Sequence, residues 1–88
     1  MRIKPGFTLK NDKGKYIVTA TGETARSFSS SIVLQDHAVF MWNLLENNEM
    51  SKEALVRALL DEFPISTVLA LNDVDAFFKT LKENGILE

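Results

Sequence analysis

Phe28-Ser29-Ser30-Ser31-Ile32-Val33-Leu34-Gln35-Asp36-His37-Ala38-Val39-Phe40-Met41-Trp42-Asn43-Leu44-Leu45 changes its hydrophobic period half-way along. In the first part Phe28, Ser30, Ile32 and Leu34 share one face of an extended chain, with Ser29, Ser31 and Val33 on the other. That is the two-residue repeat of a strand. Then Ala38, Met41, Trp42 and Leu45 follow i, i+3, i+4, i+7 spacing, a helical stripe that Phe40 and Leu44 widen. Gln35 and Asp36 mark the switch, where a short polar side chain can accept a bond from a free N–H of the helix's first turn. The stretch therefore reads as a half-polar strand running straight into the most apolar helix of the chain.

Upstream, Pro5-Gly6 makes a turn and Phe7 to Lys10 alternates as a first strand. Asn11-Asp12-Lys13-Gly14 has hairpin-loop composition, because Asn, Asp and Gly tolerate left-handed backbone. Tyr16 to Ala20, β-branched and aromatic, returns as strand two, and Thr21-Gly22-Glu23 breaks it. Thr24 to Ser27 fits neither period, and the alternating segment from Phe28 makes strand three. Such a meander cannot bury its own apolar face, so helices must cover it.

Downstream, a first helix is expected over about Asp36 to Asn47, and a second, capped by Ser51, over about Lys52 to Phe63. The second points Leu55, Ala58, Leu59 and Phe63 inward and carries a Glu53, Arg57, Asp61 ladder outside. Pro64 stops it. Ser66 or Thr67 opens a third helix reaching Glu83, with Leu71, Val74, Phe77, Phe78 and Leu81 along one side. Asn84-Gly85 ends it, and Ile86-Leu87 folds back as the apolar contact that follows such a stop. The expectation is one α+β domain over residues 1–88, a three-stranded antiparallel sheet (about 6–35) followed by three helices (about 36–88).

Composition bounds the function. Eighty-eight residues, 45% hydrophobic and 25% charged, form one small globular core. The chain has no cysteine, hence no disulfide and no thiolate metal site. No apolar run approaches the roughly 18 residues of a membrane span and the start lacks a signal-peptide core, so a cytoplasmic protein without membrane contact is expected. Charge is divided: residues 1–30 carry six basic and two acidic side chains (+4), residues 31–88 four basic and ten acidic (−6).

Across nearly its whole length the sequence resembles the PqqD-like proteins, small winged helix-turn-helix domains that serve as recognition elements for ribosomally made, post-translationally modified peptides. The resemblance is carried by Gly6-Phe7-Thr8-Leu9, by Ile32-Val33-Leu34-Gln35 leading into Ala38-Val39-Phe40-Met41-Trp42, and by Asp73-Val74, Phe77-Phe78, Leu81 and Gly85-Ile86-Leu87. Founding members, which serve pyrroloquinoline quinone biosynthesis, carry a Pro-Glu-Arg-like element after strand two. This chain has Thr21-Gly22-Glu23-Thr24 there. The resemblance implies that a leader peptide adds as an antiparallel strand beside strand three, in a cleft walled by helix three. It also implies a separate maturase of the radical S-adenosylmethionine type as partner.

The residues themselves argue against catalysis. The single histidine, His37, stands in the first turn of a helix, and no nucleophile–base pair accompanies it. Asp61/Glu62 and Asp73/Asp75 are adjacent or two apart on helices, where side chains diverge, and read as solvated charge. The four glycines are scattered at turns rather than gathered in a phosphate-binding loop, so no enzyme activity and no cofactor are expected. Trp42 reads as a core anchor whose N–H finds a local acceptor. Of the Phe77-Phe78 pair, which diverge by about 100°, one can line a groove beside strand three.

Nucleic-acid binding fails on charge. Between Arg57 and Lys79 there is no basic residue, while Asp61, Glu62, Asp73 and Asp75 lie in that span, so helix three would repel a phosphate backbone. Peptide capture remains: an edge strand offers unpaired N–H and C=O groups to a guest, and polar Ser29, Ser30 and Ser31 keep that edge soluble. The expected peptide-binding residues are Ser29, Ser30, Ser31, Ile32 and Val33 on the strand, with Asp73, Phe77 and Lys79 on helix three. Phe28, Ile32 and Leu34 are expected on the sheet's core face as well. The alternative is a structural interaction domain, a homodimer through the same sheet edge with no peptide client.

Overall fold

In a computed structural model, which describes residues 1–28 and 32–88, the chain forms β1 (Phe7–Asp12), β2 (Lys15–Ala20), α1 (Thr24–Ser27), β3 (Ile32–Leu34), α2 (His37–Asn47), α3 (Lys52–Glu62) and α4 (Thr67–Glu83). The strands lie in the order β1-β2-β3, each antiparallel to the next. The expected sheet-then-helices architecture is present, with one addition: a single helical turn, α1, stands where the sequence fits neither period.

The hairpin is tighter than its composition suggests. Asn11 and Asp12 belong to β1, and the turn is made by Lys13 (φ 53°) and Gly14 (φ 85°), both left-handed. Two such residues form the turn whose twist matches that of the flanking strands. The Asn11 Oδ1 accepts from the Gly14 N–H at 3.1 Å and holds the loop closed. Gly6 (φ 96°) is required on a second ground: a Cβ there would sit 2.3 Å from Thr24 Oγ1, so the start of β1 rests directly on α1.

Phe28 is the extended residue that ends α1, with its ring 5.0 Å from Phe7 in an edge-to-face contact. Pairing with β2 is seen from Ile32, in the register Val18↔Ile32, Ile17↔Val33 and Tyr16↔Leu34. Ile32 and Leu34 are buried beneath the sheet and Val33 points outward. Ser29, Ser30 and Ser31 lie outside the described residues.

The apolar stripe of α2 supplies the centre of the core. Met41, Trp42 and Leu45 are buried against Leu55 and Leu59 of α3, against Ala70, Val74, Phe77, Phe78 and Leu81 of α4, and against Val18, Ile32 and Leu34 of the sheet. Trp42 is completely buried, and its one polar atom is satisfied as expected: Nε1–H donates to Glu46 Oε2 one turn away, at 2.8 Å. Ser51 and Ser66 cap α3 and α4 by accepting from the Ala54 and Leu69 N–H groups. Leu71, expected inward, is half exposed; Ala70 takes its place on the inward stripe.

At the far end of α4 the Ile86 N–H bonds to the Leu81 carbonyl and the Gly85 N–H to that of Lys82, a glycine-centred stop that returns Ile86 to the core. The C-terminal residues then pair with the N-terminus: Lys4 N–H with the Ile86 carbonyl, Glu88 N–H with that of Arg2, and Arg2 Nε with Glu88 Oε2. The tail is thus engaged away from β3. No described helix is long and apolar enough to cross a membrane.

Because Trp42 is completely buried within a small core, Trp42→Ala is expected to cost about 3–5 kcal/mol. Urea unfolding with a two-state fit measures it; a loss below about 1 kcal/mol would show that Trp42 does not anchor the core.

Candidate functional site: a groove beside the edge strand

Among the described residues β3 has a strand neighbour on one side only. The chain crosses from strand to helix through Gln35 and Asp36, and the turn is abrupt: Asp36 has φ 49° and ψ −113°. A short polar residue carries positive φ at less cost than a bulky one. Its side chain makes no capping bond, contrary to the expectation from sequence. Backbone carbonyls serve the first turn instead, the Ala38 N–H bonding to Gln35 O and the Phe40 N–H to Asp36 O. The Asp36 carboxylate is left exposed at the mouth of the depression that opens beside β3.

That depression, about 420 Å³, is bounded by three elements. Ile32, Val33 and Leu34 form the strand side, Ala38 and Met41 of α2 the floor, and Asp73, Ala76, Phe77 and Thr80 the α4 wall. The wall residues follow i, i+3, i+4, i+7 spacing, one continuous strip of a helix. Phe77 and Met41 line the groove although both are nearly fully buried. Ala76 and Thr80 are exposed.

One end of the groove is closed by a polar contact. His37 Nδ1 lies 2.5 Å from Asp73 Oδ2, joining the first turn of α2 to α4. The imidazole also packs at a tilt against Phe63 (centroids 4.4 Å apart), which meets Phe40 edge-to-face at 5.3 Å. The lone histidine is therefore packed and paired. Asp73 and Asp75, read together from sequence as solvated charge, separate: Asp73 lines the groove, whereas exposed Asp75 meets Lys52 at 3.3 Å.

Of the residues expected to form the site, Ile32, Val33, Asp73 and Phe77 come together at the groove. Ser29, Ser30 and Ser31 lie outside the described residues. Lys79 does not reach it: its side chain is 78% exposed and lies 4.0 Å from Glu83, on another face of α4. Stepping three and four residues from Asp73 leads to Ala76, Phe77 and Thr80 and passes over position 79. Sequence reasoning did not place Leu34, Gln35, Asp36 and His37 of the strand–helix junction at the groove, nor Ala38, Met41, Ala76 and Thr80; the helical strip through Asp73 was the signal for the last two. The Phe77–Phe78 ambiguity resolves by direction, with Phe77 facing the groove and Phe78 lying under the Lys52 ammonium, 5.7 Å from its ring centroid.

Residues 11–87 match the family described as "Coenzyme PQQ synthesis protein D (PqqD)". The chain belongs to the PqqD family. No curated protein matches it in sequence. Two solved structures share the PqqD-like fold end to end. One is "TbiB1 in Complex with the TbiA(beta) Leader Peptide", with TM-score 0.77 and 18% identity, covering 100% of this chain and 95% of that one. The other is "Lasso peptide synthetase B1 complexed with the leader peptide", with TM-score 0.74 and 22% identity, covering 99% and 95%. At these identities the likeness establishes the fold.

His37→Ala would delete both the Asp73 contact and the tilted ring contact with Phe63. It is expected to lower stability by about 1 kcal/mol while leaving helix content unchanged. Chemical denaturation paired with far-ultraviolet circular dichroism checks this; loss of helix in the variant would show that the contact is needed to form α2 or α4.

Proposed function

We propose that this PqqD-family protein is a non-catalytic adaptor. It captures the leader segment of a ribosomally made precursor as a strand added antiparallel to β3, and presents the remainder of the precursor to a separate maturation enzyme of the radical S-adenosylmethionine type. The observation that carries the reading is the free edge of β3 opening directly onto a groove with an apolar floor. Unpaired backbone gives a guest strand its affinity, and side-chain pockets give it specificity. Family membership supports the reading, as do two structures of the same fold solved in complex with a leader peptide. Ser29, Ser30 and Ser31, directly before β3 in sequence, are proposed to contact the same guest. Lys79 is left out of the contact surface.

The groove offers nothing to nucleic acid. Its charged wall and rim residues are Asp36 and Asp73, with no Lys or Arg lining it. The competing reading is a homodimer pairing β3 to β3, which the same free edge would permit.

Calorimetric titration with the leader of the precursor encoded beside this gene is expected to show saturable binding; none at high micromolar peptide would remove the proposal. Light scattering separates the two readings, since a client that occupies the edge competes with dimer formation, whereas a structural dimer is indifferent to peptide.

Strand addition also makes a prediction about backbone. Proline placed in turn at positions 29 to 33 is expected to abolish binding wherever it removes an N–H facing away from β2, with helical circular dichroism intact. Undiminished binding across the whole set would show that the peptide does not join the sheet.

A further inference from the structure

The groove has a spacing as well as a shape, and the spacing implies a side-chain code in the client. Asp73 and Phe77 are one turn apart on α4, about 6 Å along its axis, and Thr80 lies most of a turn beyond. Alternate residues of an extended strand are about 6.6–6.8 Å apart. A guest paired to β3 therefore presents successive inward side chains roughly in step with the turns of the α4 wall.

The positions along that wall differ in chemistry. Beyond Asp73 the α4 wall continues through Ala76 to Phe77, and Ala38 and Met41 of α2 form the floor. Two small side chains, Ala38 and Ala76, beside an apolar ring and thioether leave room for one large apolar side chain. At the end where β3 hands over to α2 stands Asp73, with His37 on one carboxylate oxygen. An ionised carboxylate offers about four acceptor sites, and the imidazole occupies one. A guest side chain arriving there meets acceptors rather than donors.

We infer that the groove selects a client strand carrying a bulky apolar residue, seated between Ala38 and Ala76, and a hydrogen-bond donor two residues toward the client's N-terminus, placed on Asp73. The order follows from an antiparallel guest: its N-terminal end lies beside the C-terminal end of β3, where Asp73 is found. A cationic donor is favoured over a neutral one, since a hydrogen bond to a charged partner is the stronger kind. This code rests on the strand capture proposed above.

A phage-displayed library of random peptides about twelve residues long, enough for one strand, tests it by parallel selection on the wild-type protein, Ala76→Leu and Asp73→Asn. Ala76 is exposed and leucine is a good helix former, so Ala76→Leu fills that space without disturbing the core. Circular dichroism verifies the fold of each variant. The wild type is expected to enrich Lys or Arg two residues before Leu, Ile, Phe or Tyr. Ala76→Leu should shift the second position to Ala, Gly or Ser, and Asp73→Asn should lose the basic residue while keeping the apolar one. For an enriched peptide, truncating its large residue to alanine should weaken binding to the wild type by about tenfold or more. The same truncation should improve binding to Ala76→Leu. Peptides enriched without this pair, and identically on all three proteins, would overturn the code and leave strand capture standing. No enrichment on any of them would overturn strand capture and the code with it.

Discussion

The structure turns on how β3 is held. Its inner face, Ile32 and Leu34, is buried against the same core that encloses Met41, Trp42 and Phe77, and one of its edges is hydrogen-bonded to β2. Those two attachments fix the strand so firmly that its other edge need not be paired. An isolated edge strand of three residues would be of little use as a template, because its own ordering entropy would oppose any guest. Pinned from below and from one side, β3 is already extended when a partner arrives, and this lowers the cost of binding.

The same constraint explains the abrupt turn at Asp36. The apolar stripe of α2 begins at Ala38, and the last inward residue of β3 is Leu34. Both must face one core with only Gln35, Asp36 and His37 between them, so the backbone reverses its course with positive φ at Asp36 rather than through a longer loop. The tight junction leaves His37 at the head of the groove, where Asp73 meets it. The contact between the first turn of α2 and α4 is thus a consequence of how little chain separates strand from helix, and it closes one end of the depression.

The unequal distribution of charge acquires a location. The basic excess lies in the N-terminal segment that contains the hairpin, and the acidic excess in the helices, where Asp73 and Asp36 border the groove. A winged helix-turn-helix fold alone would be compatible with duplex binding; an α4 wall made of Asp73, Ala76, Phe77 and Thr80 supplies no cation to a phosphate backbone. Function follows from the site and not from the fold.

Periodicity alone determined that a sheet precedes helices, where α3 and α4 begin and end, and that Trp42 is the anchor, because caps, prolines and a 3.6-residue stripe are local signals. That the strand before Gln35 was the candidate edge came from the family resemblance and not from its period. Pairing and proximity were decided by the tertiary structure. A free hydroxyl or carboxylate at a helix start reads as a cap whether or not it makes the bond: Ser51 and Ser66 do, and Asp36 does not. The close approach of α1 to Gly6 is a contact between segments eighteen positions apart, which no local period announces. Lys79 and Thr80 are neighbours in sequence, yet only one reaches the groove, because a helical wall is read at intervals of three and four. Ala38 and Ala76 carry no chemical signal at all, and their importance lies in the space between them, which exists only once α2 and α4 are packed.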